Sequence, residues 1–512
     1  MPLLNDQRSP NEGRALIFLM ALAFLVRLYG IELPLTDGGH ERQTFVAMIA
    51  RNLLRDGMNI LYPRVDIFGP DHPGYVFYEL PLQPWLMAWL YKFFGIHDVI
   101  GRLTAVFFSV ASIPLMLRLS KLFLHPRFAL FATAVYALSP LSIYMGRSVF
   151  PEALFMFFAL AAFVLLMKWY EHGSLWDSAA AFFCAALCFL LKPPPGLVLL
   201  LPFVTIWWMR YGNSLLKKWA FYLYFSLMLC PMALWALWGH KWGVKGSLWN
   251  PYQMQALKIW GVPDYWFRAE FYTHTFISLV VVALTPAVAV LALYGLKHLR
   301  THRYQILLLS WTVANAAYVI LTPLAQCNHW HYQLPLIPLG AIIAGFGLQQ
   351  LCAKDFAEVR LVGFLRARPF LYATTILIVV SAHLLIYEEM FRVAYNPIRR
   401  VPYAFEVADI VQNEFGRDGF LLLIEPNMVP LTQTYLMDRQ TLQIPSDLKS
   451  PVLTIDEVEK WRLKGAVGIV AVNTPYGNGV NYIRQNEALT EYLGSYFRPV
   501  KESDNYLIWK LK

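Results

Sequence analysis

Charged side chains are the first scarcity. Only 15% of the 512 residues are Asp, Glu, Lys or Arg, against 57% hydrophobic and 16% aromatic. Soluble domains carry about 25% charged residues, so the deficit excludes an ordinary water-soluble globule and points to lipid as solvent. Cysteine is sparse as well. The five present (Cys184, Cys188, Cys230, Cys327 and Cys352) lie within or at the ends of apolar segments, with neither metal-ligand spacing nor a disulfide framework. The first apolar run, about 15–29, lacks a small-residue cleavage site and reads as a retained span. Internal repeats are absent, and no glycine-rich phosphate loop is found in the C-terminal part of the chain.

What the sequence does contain is a series of apolar runs, each of roughly 18 or more residues, long enough to cross a hydrocarbon core of about 30 Å. About eleven spans are expected, near 15–30, 101–120, 128–145, 152–169, 177–191, 196–209, 219–238, 276–296, 304–322, 334–351 and 370–388. The net charge of +10 is not a nucleic-acid footprint, because the basic residues sit in short loops between spans. With a cytoplasmic N-terminus, the inner loops hold Arg118, Lys121, Arg127, Lys168, Arg210, Lys217, Lys218, Lys297, Arg300, Arg303, Lys354, Arg360, Arg366 and Arg368. That bias is what the positive-inside rule produces, and an odd number of spans places the C-terminus outside.

Two outer segments, about 32–99 and 238–275, are too long to be connectors. In the first, Phe45, Met48, Ile49 and Leu53 have helical spacing over 44–56. The run 81–94 (PLQPWLMAWLYKFF) is apolar but too short to span, as an interfacial helix would be. The second segment is rich in tryptophan (Trp242, Trp249, Trp260, Trp266), the signature of a headgroup boundary. Residues 1–391 thus read as a transmembrane domain. Residues 392–512 read as a soluble α/β domain, with helices at 403–415, 456–464 and 481–493 and strands at 420–424, 466–472 and 506–511.

Chemistry is sought among polar groups at the outer face, where an ionisable residue must be paired, hydrated or in use. The first loop opens with Asp37, Gly38, Gly39, His40, Glu41, Arg42, Gln43 and Thr44. Asp37 before two glycines suits either a turn or a general base facing an acceptor hydroxyl. Glu79, ahead of the interfacial helix, suits either a helix-terminal charge or a catalytic or sugar-binding carboxylate. Arg147 and Lys192 stand in short outer turns, Lys192 before Pro193, Pro194 and Pro195; a snorkelling anchor and a phosphate ligand are both open for it. His329, His331 and Tyr332 precede the tenth span. The two histidines, with Glu79 or Glu41, have donor types that suit a divalent metal, although no cofactor is firmly implied and no metal ligand is assigned. No Asp-x-Asp pair of the kind that holds a nucleotide-sugar metal lies in an outer loop, which suits a donor whose leaving group is a lipid phosphate.

These motifs resemble the GT-C fold of lipid-carrier-dependent glycosyltransferases, the group of the protein O-mannosyltransferases and the lipid A aminoarabinose transferase. The resemblance rests on an acidic residue directly after the first span and on the pattern D-x-x-H-x-R-Q-T (Asp37, His40, Arg42, Gln43, Thr44). IARN (Ile49 to Asn52), ELPL (Glu79 to Leu82) and H-x-Y-Q-L-P from 331 are similar too, and the likeness covers roughly 15–390. It implies that the first-loop carboxylate takes the acceptor's proton. Counting forward from the span gives Asp37; counting back from Arg51 gives Glu41. Arg42, Lys192 and His331 are the first candidates for the departing phosphate, with Arg147 and Arg268 behind them.

The reading is of a polytopic α-helical, GT-C-like membrane protein with a C-terminal α/β domain, in the inner or plasma membrane. Its expected partners are a polyprenyl-phosphate-linked sugar, a cell-envelope acceptor and membrane lipid, but no nucleic acid. An inverting displacement is implied by analogy with single-displacement hydrolases. Two other readings are a transporter or lipid flippase, and an enzyme that moves whole oligosaccharides. The missing repeat and the concentration of polar groups at one face weigh against transport.

Overall fold

The computed structural model describes residues 10–37, 40–243, 263–353, 403–416, 418–425, 430–445, 453–474 and 477–511. The span expected near 370–388 lies outside them, as do Trp249 and Trp260.

Helices dominate, and prolines divide them. In chain order come α1 (Pro10–Arg27), α2 (His40–Arg55), α3 (Leu82–Phe94), α4 (Asp98–Phe123), α5 (Pro126–Leu138), α6 (Pro140–Met145) and α7 (Glu152–His172). They are followed by α8 (Leu175–Leu191), α9 (Pro193–Tyr211), α10 (Trp219–Trp242), α11 (Ala269–Phe276), α12 (Pro286–Lys297), α13 (Gln305–Leu321), α14 (Pro323–Asn328) and α15 (Ile337–Ala353). Pro126, Pro140, Pro193, Pro286 and Pro323 each open a helix, where a missing N–H costs nothing and a fixed φ helps. Two expected spans are interrupted for this reason. The run 128–145 breaks into α5 and α6 at Pro140. The run 276–296 passes through a π-helical stretch, Ile277–Ala283, and turns by 101° ahead of Pro286, with Thr285 at φ 68°. Among the described residues, α4, α7, α10 and the helical run Trp330–Cys352 are long and apolar enough to cross a bilayer, and the bent pair gives a fifth if it is one span.

The chain divides into two compact units. The first comprises Met1–Ile31, Arg102–His240 and Pro251–Arg392; the second comprises Glu32–Gly101, Lys241–Asn250 and Val393–Lys512. In the first unit the buried Arg27 ties α1 to three other helices. Its guanidinium donates to Ser109 Oγ (2.9 Å), to Ala23 O (2.9 Å), to Ala137 O (2.9 Å) and to Ser142 O (3.1 Å). Ala137 O belongs to the last turn of α5, where carbonyls have no intrahelical partner, so the break at Pro140 supplies the acceptor. Gly146 is required beside it, since a Cβ there would lie 2.4 Å from Ser109 Oγ and 2.5 Å from Arg27 Nε. Backbones of α12 and α15 also touch: a Cβ on Gly295 or Gly347 would fall 2.2 Å from a carbonyl oxygen of the opposite helix, the close approach that small residues allow between membrane helices.

The second unit joins α2 and α3 to the C-terminal α/β fold. That fold comprises α16 (Ala404–Glu414), β1 (Phe420–Glu425), α17 (Pro430–Met437), β2 (Thr441–Pro445), α18 (Ile455–Leu463), β3 (Ala466–Thr474), β4 (Gly477–Asn478), α19 (Gly479–Arg484), α20 (Glu487–Tyr496), β5 (Arg498–Glu502) and β6 (Tyr506–Lys510). The sheet order is β2-β1-β3-β6-β5, parallel across β2-β1-β3 and antiparallel beyond, with β4 paired to β3. Strand β1 (FLLLIE) is buried along its whole length, as a strand covered on both faces must be. The expected helix at 481–493 is two helices, because Asn478 and Asn486 each cap a new start, accepting from Asn481 N and Leu489 N.

The first outer loop completes the sheet edge. Gly69 N donates to Thr441 O (2.8 Å), Thr441 N to Asp66 O (2.7 Å) and Gln443 N to Ile67 O (3.3 Å), with Phe68 opposite Leu442. Residues 66–69 therefore shield the exposed edge of β2. Arg51 fixes α2 to the same fold: its Nη1 donates to Tyr435 O (3.0 Å) and pairs with Asp438 (2.7 Å), and its Nη2 lies 3.6 Å from Asp66. Asn52 donates to Asp66 Oδ1 (2.9 Å). The IARN motif is thus a brace. Arg51→Ala removes the hydrogen bond to Tyr435 O and the pair with Asp438, and leaves the buried Asp66 with Arg64 (3.6 Å) as its cation; it is expected to cost about 1–3 kcal/mol, read as a lower Tm of the purified protein, and an unchanged Tm would show the brace to be idle.

Candidate active site

The sequence-derived site residues fall into two sets, one in each unit. In the second unit, Asp37 precedes α2 by three residues, on the side of a helix end that favours negative charge. Its carboxylate is 1% exposed and accepts from the side-chain amide of Gln43, itself fully buried. The turn before it is pinned by Leu35 N donating to Asp98 Oδ2 (3.3 Å). Arg42 donates to Glu79, and its guanidinium lies over the rings of Tyr78 (4.6 Å) and Phe45 (5.0 Å). Glu41 is half-buried in the first turn of α2. His40 opens that helix.

In the first unit the centre is Glu152, the first residue of α7. Lys192 donates to its Oε1, and His331 Nε2 lies 3.6 Å from the same oxygen. The local sequence explains Lys192. A residue before proline is excluded from the helical region, so Pro193 ends α8 at Leu191 and leaves Lys192 extended at φ −157°, ψ 86° between two helices. Its ammonium then lies 5.0 Å from the Tyr332 ring centroid, a cation–π contact. Tyr332 and His331 belong to the tight 3-10 helix Trp330–Leu336, held by Tyr318 Oη donating to Tyr332 O (3.1 Å). His329 and His331 rings are 5.2 Å apart, and Phe150 is 5.5 Å from His331. The second oxygen of Glu152 has no hydrogen-bond partner among the described residues.

The remaining candidates are placed differently. Arg147 is fully buried and donates to Gly30 O. Arg268 is exposed at the start of α11, over Tyr265 at 4.5 Å. Among the described residues no group of three or more His, Cys, Asp or Glu is placed to hold a metal ion. Two residues that the structure places at the centre of these contacts were not singled out from the sequence as site residues: Glu152 and Arg51. The signal for Glu152 is its position after Pro151 at a helix start, where a carboxylate can face a neighbouring cation.

Residues 71–238 match the family described as dolichyl-phosphate-mannose-protein mannosyltransferase. No curated protein sequence matches the chain. Among solved structures, the chain is similar to ArnT from Cupriavidus metallidurans bound to undecaprenyl phosphate, with TM-score 0.63 and 15% identity over 96% of this chain and 97% of that one. It is also similar to the oligosaccharyltransferase of Archaeoglobus fulgidus, with TM-score 0.54 and 10% identity over 89% and 69%. A third likeness is to a mutant of the arabinofuranosyltransferase AftD from Mycobacteria, with TM-score 0.55 and 14% identity over 97% and 41%. The shared architecture is that of GT-C membrane glycosyltransferases, as the motifs of the first loop led one to expect.

The buried Lys192–Glu152 pair generates a test of its own. Lys192→Met strands the Glu152 carboxylate and is expected to lower stability by about 3–5 kcal/mol. Adding Glu152→Gln removes the stranded charge and restores most of the loss. Equal and additive losses in a double-mutant cycle on Tm would contradict the pairing.

Proposed function

From the GT-C fold, we propose that the chain transfers a sugar from a polyprenyl-phosphate carrier to an acceptor hydroxyl on the non-cytoplasmic side of the membrane. The observation that carries this reading is Lys192, a buried ammonium held between Glu152 and the Tyr332 ring. Such a cation suits a lipid phosphate that must shed its sugar in a low-dielectric setting, where each pre-aimed charge counts for more than in water. The undecaprenyl phosphate in the ArnT structure supports the same class of donor.

In the proposed reaction Asp37 takes the proton of the acceptor hydroxyl, and Gln43 fixes the orientation of the carboxylate that receives it. The acceptor oxygen forms a bond to the anomeric carbon while the bond from that carbon to the phosphate oxygen breaks. Polyprenyl phosphate leaves with the electron pair, and the configuration inverts. Lys192 and His331 stabilise the leaving phosphate. Arg42, paired with Glu79 as Lys192 is with Glu152, remains a further candidate for the phosphate, and Arg147 donates to a backbone carbonyl. The arrangement of about eleven spans, a cytoplasmic N-terminus and an outer C-terminal domain completes the proposal, since it gives acceptors of the cell envelope access to the reaction.

Asp37→Asn keeps the shape and hydrogen-bonding capacity of the side chain while removing the base. With radiolabelled polyprenyl-phosphate sugars and an envelope extract as acceptor, transfer is expected to fall by about 10²–10⁴-fold with donor binding retained. Transfer that persists in Asp37→Asn and is lost in Glu41→Gln would move the base to Glu41. Movement of lipid across the bilayer with no transfer from any donor would replace the enzyme reading with a flippase.

A further inference from the structure

Tyr435 stands on α17, and Arg51 of α2 holds it in two ways. Arg51 Nη1 donates to the Tyr435 carbonyl oxygen (3.0 Å), and the guanidinium lies 4.9 Å from the centroid of its ring. The neighbouring Thr434 ties α17 to the sheet, its Oγ1 lying 2.8 Å from Thr441 Oγ1 on β2. Tyr435 is buried, so its hydroxyl needs a protein acceptor. That acceptor is Asp98, the first residue of α4. Tyr435 Oη donates to Asp98 Oδ1 at 2.5 Å, within the range of a charge-assisted O–H···O⁻ bond.

The other oxygen of Asp98 serves the first loop. Oδ2 accepts from Leu35 N (3.3 Å), two residues before Asp37. Leu35 is fully buried and Thr36 nearly so, which makes the Leu35 amide dependent on a protein acceptor as well. Asp37 therefore has an anchor on each side along the chain, the Leu35 amide behind it and the Gln43 side chain ahead of it. Gln43 belongs to α2, whereas the link through Leu35 and Asp98 ends on the C-terminal fold. A carboxylate serves both donors at once because both of its oxygens accept. An asparagine keeps one acceptor oxygen and puts a donor where the other stood.

We propose that Tyr435 is a positioning residue for the transfer reaction: through Asp98 it fixes the turn that delivers Asp37. The C-terminal fold thereby sets the direction of the base without touching substrate. Burial, reinforced by Asp98, holds the Tyr435 hydroxyl well above the ordinary tyrosine range, so the donor that the link requires is kept. The catalytic part of this inference rests on Asp37 as the base; the link itself rests on the two bonds to Asp98.

Tyr435→Phe removes the hydroxyl and keeps the ring beneath Arg51. In the full-length protein in nanodiscs, hydrogen exchange of the peptide that includes residues 33–37 is expected to quicken about 5–10-fold, with strands β1 and β3 exchanging as in wild type. With radiolabelled polyprenyl-phosphate sugars and an envelope extract, kcat is expected to fall by about 10–10²-fold while KM for the donor is unchanged. Asp98→Asn should give the same pattern, and Tyr435→Phe should add nothing in that background. Unchanged exchange at 33–37 would overturn the proposal, and so would exchange that quickens equally in β1 and β3, since Tyr435 would then only support the core. Undiminished transfer in Tyr435→Phe would remove the positioning role. Exchange needs no turnover, so local quickening in a protein whose Asp37→Asn variant still transfers sugar would sustain the link and overturn only the assignment of Asp37.

Discussion

A charge taken out of water must find a partner, and most of the local architecture here answers to that requirement. The desolvation of an ion costs several kcal/mol even after relaxation, so a buried arginine, lysine or carboxylate is tolerated only where backbone and side chains converge on it. Arg27 is satisfied by Ala23 O, by Ser109 and by the carbonyls of Ala137 and Ser142 on either side of a proline break. Arg51 gathers Asp66, Asp438 and a carbonyl from α17. Lys192 is matched by a carboxylate and an aromatic face, and Arg42 by a carboxylate between two rings. Each pair positions a turn or a helix end, and the proposed chemistry draws on one of them, Lys192.

Prolines decide where those groups appear. Pro193 leaves Lys192 extended between α8 and α9, and Pro151 immediately precedes the carboxylate of Glu152 at the first turn of α7. The result is a cation whose direction is set before any ligand arrives. Such preorganisation lowers the reorganisation needed when charge develops on a leaving group. In the second unit the same economy applies to Asp37, where Gln43 on the following helix fixes the carboxylate from a rigid element.

Much of this was legible along the chain because it depends on local periodicity. Helices α2 and α3 and strands β1 and β3 were visible from apolar spacing and short buried runs. Asp37, Lys192 and the His331–Tyr332 pair stood out as polar groups beside apolar spans. Features that depend on distant partners were not legible. Strand β2 (TLQIP) is short and contains a proline, and it is defined by neighbours as remote as Asp66 and Leu421. The role of Arg51 as a brace needs Tyr435 and Asp438 beside it. Breaks such as the one at Pro140 carried a clear signal in proline position, which the length of the apolar run concealed.

The central claim is that Lys192 is held in readiness for a lipid phosphate, and a structure of the protein determined with polyprenyl phosphate tests it most directly. The account predicts the phosphate in contact with the Lys192 ammonium and the His331 ring, with Tyr332 still packed against the lysine. A phosphate bound by the basic residues of the short inter-span loops, with Lys192 closed on Glu152 and remote from the ligand, would contradict it.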